Sequence, residues 1–382
     1  MPEPTGPLVS DATLRDSLHM AGCELAAADA AAIATQLVGV GVELVEVGIV
    51  STEARADVPL VRAVHDAIGP ERAMSVVLVR DRAQVQGDLK LAREIGCRTV
   101  MLSIPVSPEH AQLKLGSPSR RLVLTTARRC IETAKALGFH VVFTAEDGAR
   151  TDPAFLEEYA AMGAASGADR LRLAETVSTL RPGACGSLVA RLVAHAGAME
   201  VEMHSHDMFG LAVANALAAV DAGASWISAT VNGIGERGGN TPLAQVLTVL
   251  RLHYGATHRD LGGLTELSMQ VAERFGIPAS PTAGPTAALS FAYEAAGQLR
   301  SPGAFEAVDP ATVGNRRHVR VRGRLKPSLL RACLPDELLA GIDVDALACA
   351  IAAAAADPGG SPLGSEELEA RARAWRDAQI VR

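Results

Sequence analysis

The chain has 382 residues, 48% hydrophobic but only 3% aromatic, with 21% charged and a formal net charge of −7. Aliphatic content on this scale excludes a disordered chain, and the acidic balance argues against a general nucleic-acid binder, which would carry a basic domain. No apolar run approaches the ~18 residues that span a bilayer, no basic-then-apolar leader opens the sequence, and six dispersed cysteines with no C-x-x-C pair read as reduced thiols; a soluble cytoplasmic protein is expected.

In chain order, eight short β-branched runs are predicted as strands: Leu8–Ala12, Leu44–Ile49, Met74–Leu78, Thr99–Ser103, His140–Thr144, Arg170–Ala174, Glu200–His204 and Trp226–Val231. A longer Ala/Leu-rich stretch with helical spacing follows each, at 24–40, 53–68, 82–95, 118–137, 153–165, 184–196, 210–222 and 240–253. Strand–helix alternation implies a parallel sheet with right-handed crossovers. Eight such units over ~250 residues fit a closed (β/α)8 TIM barrel. A doubly wound sheet would need a G-x-G-x-x-G after the first strand, and none is there. The low aromatic share fits a barrel interior of small aliphatic side chains.

Past residue 255 the beat stops. Gly276–Pro285 reads as a linker or crossing loop, residues 286–299 as a helix, Arg316–Lys326 as a basic strand, and 335–382 as two or three small helices. The expected organisation is a catalytic barrel over 1–255, a linker and post-barrel subdomain over 256–334, and a small helical C-terminal region over 335–382.

Barrel chemistry sits at the C-terminal ends of the strands. His204 and His206 are two apart, so on a strand they share a face. Asp16 ends the first strand, which a closed barrel sets beside the eighth and close to the seventh. With the amide oxygen of Asn240 they make a divalent-metal site with open positions, suited to Mg, Mn, Zn or Co. Arg15 would face away from Asp16 on a continuing strand and reaches the site only if the chain kinks. Its guanidinium suits a carboxylate or a developing enolate oxygen. His19 is a candidate general base. Glu146 and Thr176 end the fifth and sixth strands and point into the bowl, with Asp147 toward the helix layer; Thr230 joins Arg15 and Thr176 as a candidate substrate contact. The glycine-rich run 233–239 offers backbone N–H groups to an anion, which nominates Gly235 and Arg237. In the basic strip, His318, Arg320, Arg322, Arg324 and Lys326 share one strand face, and Arg322 and Arg324 are candidate contacts for a CoA phosphate. Each assignment has a plain counterpart: a polar loop for the histidine pair, an ion pair for Arg15, a solvated loop for His19, strand termini or helix caps for Glu146 and Thr176, a tight turn for the glycines, and a solvated edge for the strip.

Asp11-Ala12-Thr13-Leu14-Arg15-Asp16 resembles the opening of the DRE-TIM metallolyases. His204-Ser205-His206, with the run from Thr230 through Asn232-Gly233-Ile234-Gly235-Glu236-Arg237-Gly238-Gly239 to Asn240, resembles the signature of homocitrate and isopropylmalate synthases. Leu102-Ser103-Ile104-Pro105-Val106-Ser107 and the stretch from Thr144 through Glu146-Asp147-Gly148 to Arg150 are similar to nitrogen-fixation-type homocitrate synthases. The resemblance covers residues 8–315. It implies a homodimeric enzyme performing a metal-dependent Claisen-type condensation of acetyl-CoA with a 2-oxo acid, giving a 2-hydroxy di- or tricarboxylic acid and CoA. It also implies that Asp16, His204, His206 and Asn240 hold the metal, that Arg15 stabilises the polarised oxygen, that Glu146 is a catalytic carboxylate and that Thr176 meets the substrate carboxylate. There are departures. Ser17-Leu18-His19 replaces the usual Gly-Glu-Gln and is closer to the aldolases of the same superfamily, where the histidine is the base. Val142 stands where many homocitrate synthases carry arginine. Tyr293-Glu294-Ala295-Ala296-Gly297-Gln298 replaces His-Glu-Ser-Gly-Ile-His, leaving Tyr293 and Glu294 as candidate catalytic groups. An aldolase or lyase that cleaves a C–C bond through a metal-stabilised enolate, and a non-catalytic binding barrel, are the alternatives.

Overall fold

The structure is a computed structural model that describes residues 6–80, 82–321, 325–354 and 363–380. The candidates Arg322 and Arg324 lie outside the described residues. The chain forms two compact units, Met1–Ala279 and Ser280–Arg382.

In the first unit, strands β1 (Leu8–Asp11), β2 (Leu44–Ile49), β3 (Ala73–Leu78), β4 (Thr99–Ser103), β5 (His140–Ala145), β6 (Arg170–Glu175), β7 (Glu200–Ser205) and β8 (Trp226–Ala229) close into a parallel barrel in chain order, with β8 pairing β1. Helices α1 (Ala27–Gly39), α2 (Val58–Ile68), α3 (Arg82–Glu94), α4 (Pro108–Leu115), α5 (Arg120–Ala136), α6 (Pro153–Ala165), α7 (Pro182–His195), α8 (Ala212–Asp221), α9 (Leu243–His253) and α10 (Leu264–Phe275) are interleaved with and follow the strands. The expected (β/α)8 barrel is therefore present, with strand ends close to those read from the sequence.

Two helices of this unit were not foreseen. α4 is short, but its start is well marked: Ser107 Oγ accepts the N–H of His110 at 3.2 Å, Pro108 takes the first turn, and Gly116 ends the helix in the left-handed region. α10 buries Leu264, Leu267, Val271 and Phe275 at helical spacing; the glycines at 255, 262 and 263 made the segment before it look like the end of the pattern.

The barrel interior departs from the expected aliphatic packing. One side is apolar, with Leu44, Met74, Val76, Met101, Val142 and Trp226 packed together. The other is a buried charge network. Arg172 Nη1 lies 2.5 Å from Glu46 Oε2 and Nη2 lies 3.0 Å from Glu202 Oε1, and Ser10 Oγ donates to the same Glu202 oxygen. The Arg170 guanidinium stacks on the Trp226 ring at 3.3 Å. Strand alternation explains the arrangement, because Arg170 and Arg172 on β6 and Glu200 and Glu202 on β7 are in register. Buried ions persist only when paired and hydrogen-bonded.

In the second unit, β9 (Ala292–Tyr293) and β11 (Leu363–Gly364) flank β10 (His318–Val321), accompanied by α11 (Ala296–Arg300), α12 (Pro327–Cys333), α13 (Asp336–Leu339), α14 (Val344–Ala354) and α15 (Ser365–Ile380). Its core includes Val319, Val321, Leu329, Leu330, Leu347 and Leu368. The helix expected over 286–299 is reduced to α11, because Ala292 and Tyr293 instead pair with His318 and Val319. No helix among the described residues is long and apolar enough to cross a membrane, and none of the six cysteines is in a disulfide.

Candidate active site

The strand ends open into a bowl of about 350 Å³. β1 stops at Asp11, and residues 12–16 turn instead of continuing as strand. This removes the opposite-face geometry expected of Arg15 and Asp16: both side chains line the bowl, with Arg15 Nη1 2.5 Å from Asp16 Oδ1. The Arg15 Nε donates to Glu46 Oε1. Glu46 thus braces Arg15 on one oxygen and Arg172 on the other.

At one pole, Asp16, His204 and His206 are all buried, and a ligand atom from each lies within 4.8 Å of the others. The orienting contacts are specific. His204 Nδ1 is 2.9 Å from Ser228 Oγ. His206 Nδ1 faces the carbonyl oxygens of Glu236 and Gly239 at 3.2 and 3.1 Å, so it carries the proton and leaves the Nε2 lone pair toward the bowl. Arg237 Nη2 donates to that lone pair at 2.8 Å. Burial, reinforced by the neighbouring His206 and by Arg172, pushes the His204 pKa well down. Burial, helped by Arg237, also lowers that of His206. Although burial opposes it, Arg15 and His204 hold the Asp16 carboxyl below its usual range. Asn240 Nδ2 donates to Asp16 Oδ2 at 2.6 Å, while its Oδ1 is buried with no hydrogen-bond partner among the described residues. Two neutral imidazoles, an ionised carboxylate and an unengaged amide oxygen are a donor set that fits a divalent cation once Arg237 leaves the His206 lone pair it now holds.

The loop after β8 is tightly shaped around this pole. Gly235 has φ +149°, and a Cβ there would come 2.7 Å from Asp16 Oδ2 while overlapping the Asn240 amide. Arg237 holds φ +52° without being glycine. Such strain persists where the surroundings over-determine it.

At the opposite pole the unforeseen α4 supplies two side chains one turn apart. His110 Nδ1 donates to Glu146 Oε1 at 2.7 Å, and Lys114 Nζ reaches both Glu146 oxygens at 2.6 and 2.7 Å. Ser103 Oγ adds a bond at 3.1 Å. Against the effect of burial, His110 and Lys114 lower the Glu146 pKa to about 2. Between the poles lie Ile49, Val76, Leu78 and Met101 on an apolar wall.

Among the other candidates, His19 and Thr176 line the bowl. Thr176 Oγ1 accepts the Asp147 N–H at 3.0 Å, and Asp147 itself is buried and bidentate with Arg150. The hydroxyl of Thr230 is fully buried and donates to the Ile234 carbonyl at 2.7 Å. Gly235 and Arg237, nominated as anion contacts, pack on the histidine pole. Tyr293 and Glu294 belong to the second unit, where Tyr293 Oη donates to Glu306 at 2.8 Å and Glu294 is exposed. Sequence reasoning missed Glu46, Arg80, His110, Lys114 and Arg172. The His110/Lys114 spacing of four and the inward charges on β2 and β6 were the available signals.

A family model described as HMGL-like matches residues 7–271. The chain is 36% identical over 318 residues to a 2-phosphonomethylmalate synthase of Streptomyces rubellomurinus, covering 81% of this chain and 82% of that protein. It is 35% identical over 319 residues to a 2-isopropylmalate synthase of Caldanaerobacter subterraneus (81% and 80%), and 33% identical over 313 residues to a homocitrate synthase of Saccharolobus islandicus (81% and 67%). Among solved structures, the HMG-CoA lyase of Bacillus subtilis superposes with a TM-score of 0.62 at 18% identity, over 74% of this chain and 98% of that one.

Proposed function

Since the chain belongs to the HMGL-like (DRE-TIM) family, we propose that it is an acyltransferase that condenses an acyl-CoA, specifically acetyl-CoA, with a 2-oxo acid, water then cleaving the thioester, to give a 2-hydroxy di- or tricarboxylic acid and free CoA. The observation that carries this reading is the buried Asp16–His204–His206 cluster beneath Arg15 in a bowl large enough for a 2-oxo acid.

Asp16, His204 and His206, with Asn240 Oδ1 adjacent, would hold a divalent metal ion. Bound there, such an ion supplies Lewis-acid polarisation of a 2-oxo group. The chain's own residues account for the rest. Arg15, fixed by Glu46 and Asp16, presents a guanidinium to oxygen charge that develops during attack. Thr176, just past β6, lines the bowl and would meet the substrate carboxylate. Glu146 is held ionised by Lys114 and His110, so at neutral pH it is a poor proton acceptor and a good anchor. We assign proton removal from the acyl methyl group to His110, oriented through Nδ1 by Glu146 in the manner of a base and its orienting carboxylate, in preference to His19, which lines the same bowl without an orienting side-chain bond among the described residues. The apolar wall of Ile49, Val76, Leu78 and Met101 faces the acceptor's side chain.

The deciding assay measures thiol release from acetyl-CoA with a divalent ion and a panel of 2-oxo acids, both aliphatic and multiply anionic. Metal-dependent release with at least one acceptor is expected. Pyruvate release from a 2-hydroxy acid, with no condensation, would replace this reading with a C–C-cleaving one.

A further inference from the structure

Asp147 directly follows Glu146 after β5, and its Oδ2 lies 3.7 Å from His110 Nε2, while Glu146 Oε1 lies 2.7 Å from Nδ1. Each nitrogen of the ring therefore faces its own carboxylate. The turn that carries Asp147 has no need of the second one. The Asp147 backbone N–H donates to Thr176 Oγ1 at 3.0 Å, and its carbonyl accepts from Thr151 Oγ1 at 3.0 Å. The next helix, α6, is capped by Asp152, whose side chain accepts the Ala154 N–H, and the Asp147 side chain makes no cap bond. Among the described residues the hydrogen bonds to this carboxylate come from Arg150, with Nε at 2.9 Å and Nη2 at 2.6 Å, and His110 is its other charged neighbour. Yet the group is fully buried, and its backbone sits at φ +59°, the left-handed region, without being glycine. A buried carboxylate and a strained backbone are both unfavourable, and where they coincide a functional reason is to be sought.

The distance decides what Oδ2 can do. At 3.7 Å it is too far to hold the Nε2 lone pair in a hydrogen bond, so that nitrogen stays free to take a proton. It is near enough, and sealed from water well enough, to favour positive charge on the ring once the proton has arrived. The cations around the ring are divided between the two acids. Lys114, on the same helix as His110, pairs with Glu146, and the partly exposed Arg150 pairs with Asp147, with Glu109 acting on Arg150 in turn. We propose that Asp147 is a positioning residue for proton removal: it stabilises the charge that forms on His110 as Nε2 accepts the acyl methyl proton, and Arg150 sets how strongly it does so. In that step the C–H bond breaks, its electron pair stays on the carbon as the enolate forms, and the proton goes to Nε2, while Nδ1–H remains bonded to Glu146. The inference rests on the condensation reading above and on His110 as its base.

Two measurements on Asp147→Asn and Arg150→Gln test the role: imidazole 13C NMR of the metal-loaded protein, with the His110 signal assigned by its loss in His110→Gln, and the pH profile of kcat. The bowl's other charged groups, among them His19 and Arg80, are left as they are. Asparagine tolerates the left-handed backbone, so the first variant keeps the turn. Asp147→Asn shifts the His110 titration, and with it the acid limb of kcat, about one unit to lower pH, and lowers kcat about tenfold with the KM of both substrates unchanged. Arg150→Gln leaves Asp147 freer to act on the ring and moves titration and limb to higher pH. A purely structural Asp147 would alter stability or KM and leave the titration in place; that result overturns the proposal, as do shifts of the same sign in both variants. A shifted titration with unaltered kcat overturns it as well and removes His110 as the base. Opposed shifts in a protein that releases no thiol with any acceptor overturn the condensation reading and uphold the coupling of Asp147 to His110.

Discussion

Asn240 Nδ2 and Asp16 Oδ2 are joined by a 2.6 Å hydrogen bond across 224 residues of sequence, tying the loop after β8 to the turn after β1. The other amide atom, Asn240 Oδ1, is buried and has no partner among the described residues. An unengaged buried carbonyl oxygen costs on the order of 1–3 kcal/mol unless something takes it up, and a cation held by Asp16, His204 and His206 would do so. His204→Ala is therefore expected to abolish both metal retention, read by elemental analysis, and activity. Asn240→Ala should weaken metal binding by roughly 10–100-fold, the usual range for a supporting group. A His204→Ala protein that retains one equivalent of metal would remove the assignment.

The same pole constrains Gly235. Its φ of +149° and the nearness of Asp16 Oδ2 and the Asn240 amide leave no room for a side chain. Gly235→Ala should displace Asn240 and lower kcat at least tenfold. Global stability should also fall, by about 1–3 kcal/mol, the order for overpacking a filled site, as measured by urea unfolding beside the steady-state assay.

At the opposite pole, His110→Gln is expected to lower kcat by roughly 10²–10⁴, the range for a lost general base, with little change in the KM of either substrate. Lys114→Met tests the electrostatics separately. His110 and Lys114 together lower the Glu146 pKa to about 2, so removing Lys114 lets that pKa climb part of the way back toward the ordinary carboxylate value. The carboxyl titration of Glu146, followed by 13C NMR of the side chain, then moves to higher pH. An unmoved titration would show that Lys114 does not hold Glu146 ionised.

The barrel and the histidine pole were legible in the sequence because both depend on short-range spacing. β-branched runs alternating with helical stretches place the strands, and the i, i+2 relation of His204 and His206 puts both on one face. The rest was hidden for physical reasons. Whether Arg15 faces the bowl depends on where β1 ends, and strand ends are set by tertiary pairing with β2 and β8. His110 and Lys114 sit on α4, only eight residues long, too short for periodicity to speak clearly. Glu46 and Arg172 looked like isolated charges in apolar strands. They make sense only once the closed barrel brings β2 and β6 within reach of each other across the interior.

That interior pair gives a stability prediction. Arg172 is 1% exposed and serves both Glu46 and Glu202. Arg172→Met leaves two buried carboxylates short of a partner, and breaking a buried pair costs about 3–5 kcal/mol. Arg15 and Arg170 still reach Glu46 and Glu202, so the lower end is expected. Arg15 should also lose definition as its brace relaxes, giving a kcat loss beyond what any stability change explains. Urea unfolding and single-turnover rates on the same preparation separate the two effects; a variant as stable as the parent would mean the network contributes nothing net.

Asp11 gives the pH dependence. It lies on β1 with Oδ1 accepting the Thr13 N–H at 2.8 Å, and its Oδ2 is buried without a partner among the described residues. Burial, aided by the nearby Glu46, pushes its pKa from 3.8 up to about 7, despite the opposing bonds from Thr13. The folded value is above the unfolded one, so the fold favours the protonated acid and takes up a proton on folding between those two values. The corresponding stability is fully present below pH ~4 and is lost as pH rises through ~7. Asp11→Asn cannot ionise and should flatten this slope. The stability difference between parent and variant, from urea midpoints at pH 5 and pH 8, should shift in the variant's favour by roughly 1–3 kcal/mol at the higher pH. Comparing the two pH values matters more than either alone, because the new amide N–H group has its own unmet hydrogen bond, which costs the same at both. Parallel curves across the window would mean that Asp11 is ionised throughout, with a counter-charge reaching Oδ2.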